Sequence, residues 1–114
     1  MKIDEVIDNH YITDSLGIKY RYFGGKLHSI DKPSRILPNG SWEWYYNGYL
    51  HRLDGPAAFD AERNLYFYWF NGCYLSTPEK WAYQILKGRD LPNDDDSIAA
   101  FLKPILAKQV KELI

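Results

Sequence analysis

The chain has 114 residues, 46% hydrophobic and 25% charged, with a formal net charge of -1 and a pI near 6.3. That is one domain with one modest core. The charge balance argues against a general electrostatic grip on nucleic acid or on an anionic membrane. The single cysteine, Cys73, excludes an intrachain disulfide, and no apolar run approaches the roughly 20 residues of a membrane span. Asp4, Glu5 and Asp8 do not suit a signal or transit peptide. These features predict a reducing cytoplasm. The composition departs from the ordinary in its 17% aromatic content, with 10 Tyr and 4 Trp, residue types that favour strands and large contact surfaces.

In chain order, Lys2 to Asn9 reads as a short helix or a frayed arm, and Tyr11-Ile12-Thr13 as the first strand of a half-repeat. A repeat follows. Gly17 matches Gly40, Gly25 matches Gly48, Leu27 matches Leu50, His28 matches His51, Asp31 matches Asp54 and Pro33 matches Pro56, each 23 positions on. A third copy starts at Asn64 and runs through Leu65 to Gly72, displaced by 24 because the loop from Asp60 to Asn64 is longer by one residue. It stops at Leu75 without the His-x-x-Asp part. Each copy is a dense aromatic stretch closed by Gly24-Gly25, Asn47-Gly48 or Asn71-Gly72, pairs that turn hairpins. Asp54-Gly55-Pro56 makes a second turn, and a strand begins again at Ala57. The prediction is a single α+β domain over residues 1–114. Residues 10–75 form an antiparallel β-meander of about two and a half hairpin repeats, and residues 76–114 form a helical C-terminal segment. One such unit cannot bury its own face, so the units must stack.

Strand alternation divides the side chains. Lys19, Arg21, Phe23, Trp42, Trp44, Tyr46, Tyr66, Tyr68 and Phe70 share the heavier face, which is assigned to the core. The other face carries Tyr20, Tyr22, Tyr45, Phe67 and Trp69, more aromatic than a solvated face needs. Thr77 and Pro78 start a helix with Trp81, Ile85 and Leu86 on its apolar stripe, and Gly88 can end it. Asp94, Asp95 and Asp96 open a second amphipathic segment, in which Pro104 predicts a kink or two short helices. This tail is expected to pack on the face of Tyr20, Tyr22, Tyr45, Phe67 and Trp69. The alternative is a homodimer formed through residues 97–114.

Asn47-Gly48-Tyr49-Leu50-His51-Arg52-Leu53-Asp54-Gly55-Pro56-Ala57, with Trp44 and Tyr45 before it, resembles a repeat of small bacteriophage proteins. That repeat reads about W-Y-x-N-G-K-x-H-R-x-D-G-P-A and is described as MORN-like. The resemblance covers residues 17 to 76. The first copy departs from it, with Ser29 in place of Arg52 and Lys32 in place of Gly55. The resemblance implies a non-enzymatic binding scaffold encoded by a phage, acting on a host protein.

No catalytic, cofactor-binding or metal site is predicted. His28 with Asp31, and His51 with Asp54, could suggest acid–base or metal chemistry. A catalytic group is needed once, however, whereas a turn clamp is needed in every unit. These four residues, with Gly55 and Pro56, are therefore assigned to the repeat structure, the Asp54 carboxylate accepting nearby backbone N–H groups. His10 has no partner motif. Cys73 lacks a base and reads as a plain thiol. Asp94 to Asp96 lack calcium-loop spacing. Tyr20, Tyr22, Tyr45, Phe67 and Trp69 are the candidate partner-binding residues. The leading expectation is a protein partner in a host cell, since Tyr and Trp are enriched at protein hot spots. The alternatives are a single-stranded nucleic-acid binder using the same rings, and a structural accessory protein.

Overall fold

The computed structural model describes residues 9–112. The expected N-terminal helix or arm, apart from Asn9, lies outside the described residues. Ten short strands precede two helices: β1 Tyr11–Thr13, β2 Lys19–Phe23, β3 Lys26–Leu27, β4 Arg35–Ile36, β5 Trp42–Glu43, β6 Tyr45–Tyr46, β7 Tyr49–Leu50, β8 Ala58–Asp60, β9 Leu65–Phe70, β10 Cys73–Leu75, α1 Pro78–Gly88 and α2 Asp95–Glu112. The main sheet runs β1-β2-β4-β5-β8-β9-β10, with β3 beside β2 and β6-β7 as a separate ladder. Every pairing is antiparallel. The α+β meander followed by C-terminal helices is the architecture.

The repeat is visible as repeated geometry. Each aromatic stretch pairs first with a neighbouring strand of the main sheet and then with its own hairpin arm. Lys19 and Tyr20 pair with β4, whereas Tyr22 and Phe23 pair with β3. Trp42 and Glu43 lie in the sheet, and Tyr45 and Tyr46 pair with β7. The first half of β9 pairs with β8 and its second half with β10. Arg21 and Trp44 stand at the branch points. Their N–H groups donate to Ser34 and Ala57, at 2.7 and 2.6 Å, and their carbonyls accept from His28 and His51, each at 3.1 Å. The turns need left-handed backbone at both central residues. Asn47 and Gly48 have φ of 49° and 85°, and Asn71 and Gly72 have 47° and 79°. Asn and Gly adopt such values at least cost.

Successive units lock through these turns. Gly48 N–H donates to the Leu27 carbonyl and Gly72 N–H to the Leu50 carbonyl, both at 2.8 Å. Asn47 N–H donates to His28 Nδ1 at 3.0 Å, and Asn71 N–H to His51 Nδ1 at 2.8 Å. Each histidine therefore clamps the turn of the next unit. The rings continue the connection in the order Phe23, His28, Tyr46, His51 and Phe70, with centroids 4.6 to 5.8 Å apart.

Both helices cover the third unit. The Thr77 hydroxyl caps Lys80 N–H and Pro78 opens α1. Trp81, Ala82, Ile85, Tyr68 and Leu102 form the buried cluster, with Phe70, Leu75, Ile98, Phe101 and Ile105 packed on it. Trp81 Nε1 donates to the Arg52 carbonyl at 2.9 Å, and Tyr68 OH donates to Gln109 Oε1. The tail packs within its own chain, but not where it was expected. It covers the Tyr68 side, and neither described helix packs on the face of Tyr20, Tyr22, Tyr45, Phe67 and Trp69. The reason is the short link from β10, whose Leu75 points to the Tyr68 side and delivers α1 there. Trp44 is buried on that side as expected, whereas Phe23 and Tyr46 of the same face are exposed.

Helix α1 ends at Gly88 as expected, and the left-handed residue beyond it is Asp90, with φ 58°. Two local expectations change. Pro104 lies inside a continuous helix, not between two short ones. Its neighbour one turn earlier, Ala100, is exposed, so the carbonyl that Pro104 cannot serve can be hydrated. Asp54 does not clamp backbone N–H groups; its Oδ1 accepts from Arg52 Nε at 2.8 Å. Deleting residues 97–114 is expected to strip Leu102 and Phe101 from Trp81 and give an aggregating protein. Size-exclusion chromatography checks this, and a soluble folded monomer would contradict the packing described.

Candidate interaction surface

Cross-strand register aligns Tyr20, Arg35, Glu43, Ala58 and Phe67 in one row across the sheet. Tyr22, Tyr45 and Trp69 lie two residues further along their chain segments and extend that face. The five predicted residues are all half-buried. Tyr20 and Tyr22 form one patch, with centroids 6.3 Å apart. Phe67 and Trp69 form another with Tyr74, at 6.2 and 5.5 Å. Between them stands an ion pair, Arg35 to Glu43 at 2.7 Å, to which Tyr45 OH donates. The hydrogen bond to Glu43 holds the Arg35 pKa above its ordinary value. Burial, with the Glu43 charge added, raises that of the Tyr45 phenol. A groove of about 570 Å³ opens here, with Leu50, Phe67, Trp69 and Tyr74 on its walls. Sequence alternation found the five aromatics. It missed Tyr74, exposed by 51%, and the Arg35–Glu43 pair, which only the register brings together.

The two histidine–aspartate pairs do not act as pairs. Each imidazole serves the next turn, and each carboxylate serves a guanidinium. Arg52 meets Asp54 at 2.8 Å, donates to the Pro56 carbonyl at 3.1 Å and lies 4.1 Å from the Trp44 ring centroid. In the first unit Ser29 replaces Arg52, yet Asp31 still has a guanidinium. Arg21, in the place of Trp44, reaches it at 3.2 Å. The cation has moved from the arm to the strand. Gly55 follows the same logic, because a Cβ there would lie 3.0 Å from Arg52 Cζ. Lys32 is tolerated at the matching position, where no arginine stacks.

This arrangement sets a stability order. The Asp54 side chain is 69% exposed and that of Arg52 only 14%. Asp54→Ala should therefore cost less than about 1 kcal/mol. Arg52→Ala should cost about 2 kcal/mol, because it also uncovers Trp44 and frees the Pro56 carbonyl. Urea titration of both variants checks the order.

The His51 clamp makes the fold acid-sensitive. An Nδ1 that accepts a backbone N–H cannot carry a proton. Burial lowers the His51 pKa below its ordinary 6.5. A depressed folded-state pKa means that the unfolded chain binds the proton more readily. The contribution is thus complete above about pH 6.5 and is lost as pH falls through the folded value. Melting temperatures taken from pH 8 downwards should fall across that window, and His51→Gln should flatten the fall.

Elsewhere the chemistry is sparse. Cys73 and His10 are exposed. Asp94 accepts Ser97 N–H at 2.8 Å, and its hydrogen bonds from Ser97 hold its carboxyl below the usual range. It therefore caps α2. Among the described residues no group of three His, Cys, Asp or Glu could hold a metal ion. No helix among them is long and apolar enough to cross a membrane. No family model, curated protein or solved structure matches the chain.

Proposed function

We propose that the chain is a non-enzymatic binding module that engages a protein partner through the aromatic sheet face opposite its two described helices. The observation that carries this reading is the groove beside Trp69, with Phe67 and Tyr74 on the same face, on a sheet whose other side is taken by the helices. Aromatic rings held by a rigid sheet supply large contact area at small entropic cost, the property of protein hot spots. The resemblance to bacteriophage repeats points to a host protein in the bacterial cytoplasm as the partner, and to modulation of that protein as the purpose. A single-stranded nucleic acid is the rival occupant. Against it, Arg35 is already neutralised by Glu43, leaving that guanidinium little charge for phosphates.

The experiment is affinity capture from bacterial lysate with the wild type and with Trp69→Ala, both shown to be folded. A stoichiometric protein retained by the first and lost by the second is expected. No such protein, or equal retention by both, would overturn the reading. Salt-sensitive binding of a single-stranded oligonucleotide without a protein partner would favour the rival.

A further inference from the structure

A second concavity, of about 510 Å³, lies on the opposite side of the sheet, between the arm of the second repeat and the C-terminal end of α1. That is within the size range of small-molecule sites. Its walls are rings and aliphatics, among them Trp44, Phe70 and Ile85. Its lip is apolar and open: Ile30 is 78% exposed, Tyr46 45% and Leu53 41%. Ile30 and Leu53 occupy matching positions of the first and second repeats, so the repeat itself builds the two sides of the mouth.

The charged groups here are Arg52, Arg89 and Asp54. His51 spends Nδ1 as an acceptor for Asn71 N–H, which places its own proton on Nε2. Among the described residues Arg89 has no ion pair, and it lines the cavity with Arg52. The one carboxylate, Asp54, is already held by Arg52 Nε. Two guanidinium groups against one carboxylate leave a positive excess among aromatic walls. With Arg52 and Asp54 paired, the remaining charge is that of Arg89, which attracts an anionic guest and repels a cationic one. We infer that this cavity binds a small aromatic anion, its ring body against Phe70 and Tyr46 and its carboxylate or sulfonate head toward Arg89, since Arg52 is already held by Asp54 and stacked on Trp44.

The probe is anilinonaphthalene sulfonate, titrated by fluorescence into the intact, folded chain, with the neutral N-phenyl-1-naphthylamine beside it. Saturable one-to-one binding of the sulfonate is expected. Arg89→Glu alters an exposed side chain and should leave the melting temperature unchanged. It should weaken the sulfonate about tenfold or more while sparing the neutral analogue. Ile30→Asp should weaken both. Absence of a saturable site, or a sulfonate affinity unmoved by Arg89→Glu, overturns the proposal. So does loss of binding in Trp69→Ala, which would place the probe in the groove on the other face. The partner-binding reading stands or falls separately, because Trp69 belongs to that groove and not to this cavity.

Discussion

Trp81→Ala is expected to destabilise the domain by about 3–5 kcal/mol, the usual cost of removing a fully buried large aromatic side chain. Trp81 has no exposed surface. Its ring centroid lies 5.0 Å from that of Tyr68 and 5.9 Å from that of Phe101, so one side chain joins β9, α1 and α2. Its Nε1 also fixes the Arg52 carbonyl in the arm of the second repeat. Domains of this size have about 5–15 kcal/mol in total, and the variant should be partly unfolded at 37 °C. Trp81→Phe separates the two roles. It keeps a ring in the core but leaves the Arg52 carbonyl without its donor, at a cost of about 1–2 kcal/mol. Urea unfolding followed by circular dichroism measures both. A Trp81→Ala midpoint near that of the wild type would mean that the helices are not integral to the fold.

The meander could be read from the chain because its signals are local. Asn47-Gly48 and Asn71-Gly72 name their turns by the backbone they require, and the 23-residue spacing of His28 and His51 marks the unit. The roles of the matched residues were less accessible. Alternation divides Tyr20 from Arg21 and Phe67 from Tyr68, but two aromatic faces give no sign of which one a helix will cover. That was decided at the end of the repeats, by a link too short to carry α1 to the other side. The carboxylates of Asp31 and Asp54 were likewise ambiguous. A carboxylate next to a turn can accept backbone N–H groups or a guanidinium, and Arg52, two residues before Asp54, won. Pro104 shows the limit of a breaker signal: an exposed position tolerates the missing hydrogen bond when the flanking Phe101, Leu102 and Ile105 gain burial.

The surface residues carry the other large effect. Trp69→Ala is expected to weaken partner binding by about 30-fold or more, corresponding to the roughly 2 kcal/mol that marks a hot spot. Trp69 is half-buried, and its ring leans on Tyr74, itself 51% exposed. The free protein therefore leaves ring surface for a partner to cover. Removing the indole should disturb the fold less than removing Trp81, because no buried cluster closes over it. Glu43→Gln provides the contrast. It leaves the aromatic groove in place but releases the guanidinium of Arg35 from its counter-charge. A protein partner that reads the rings should lose little from this change. A nucleic acid reading phosphate through Arg35 should bind more tightly, with a steeper dependence on salt. Titrating both variants at two salt concentrations tells which chemistry the face serves. Tighter, salt-sensitive oligonucleotide binding by Glu43→Gln, with no protein ligand lost in Trp69→Ala, would reassign the rings from side-chain packing to base stacking.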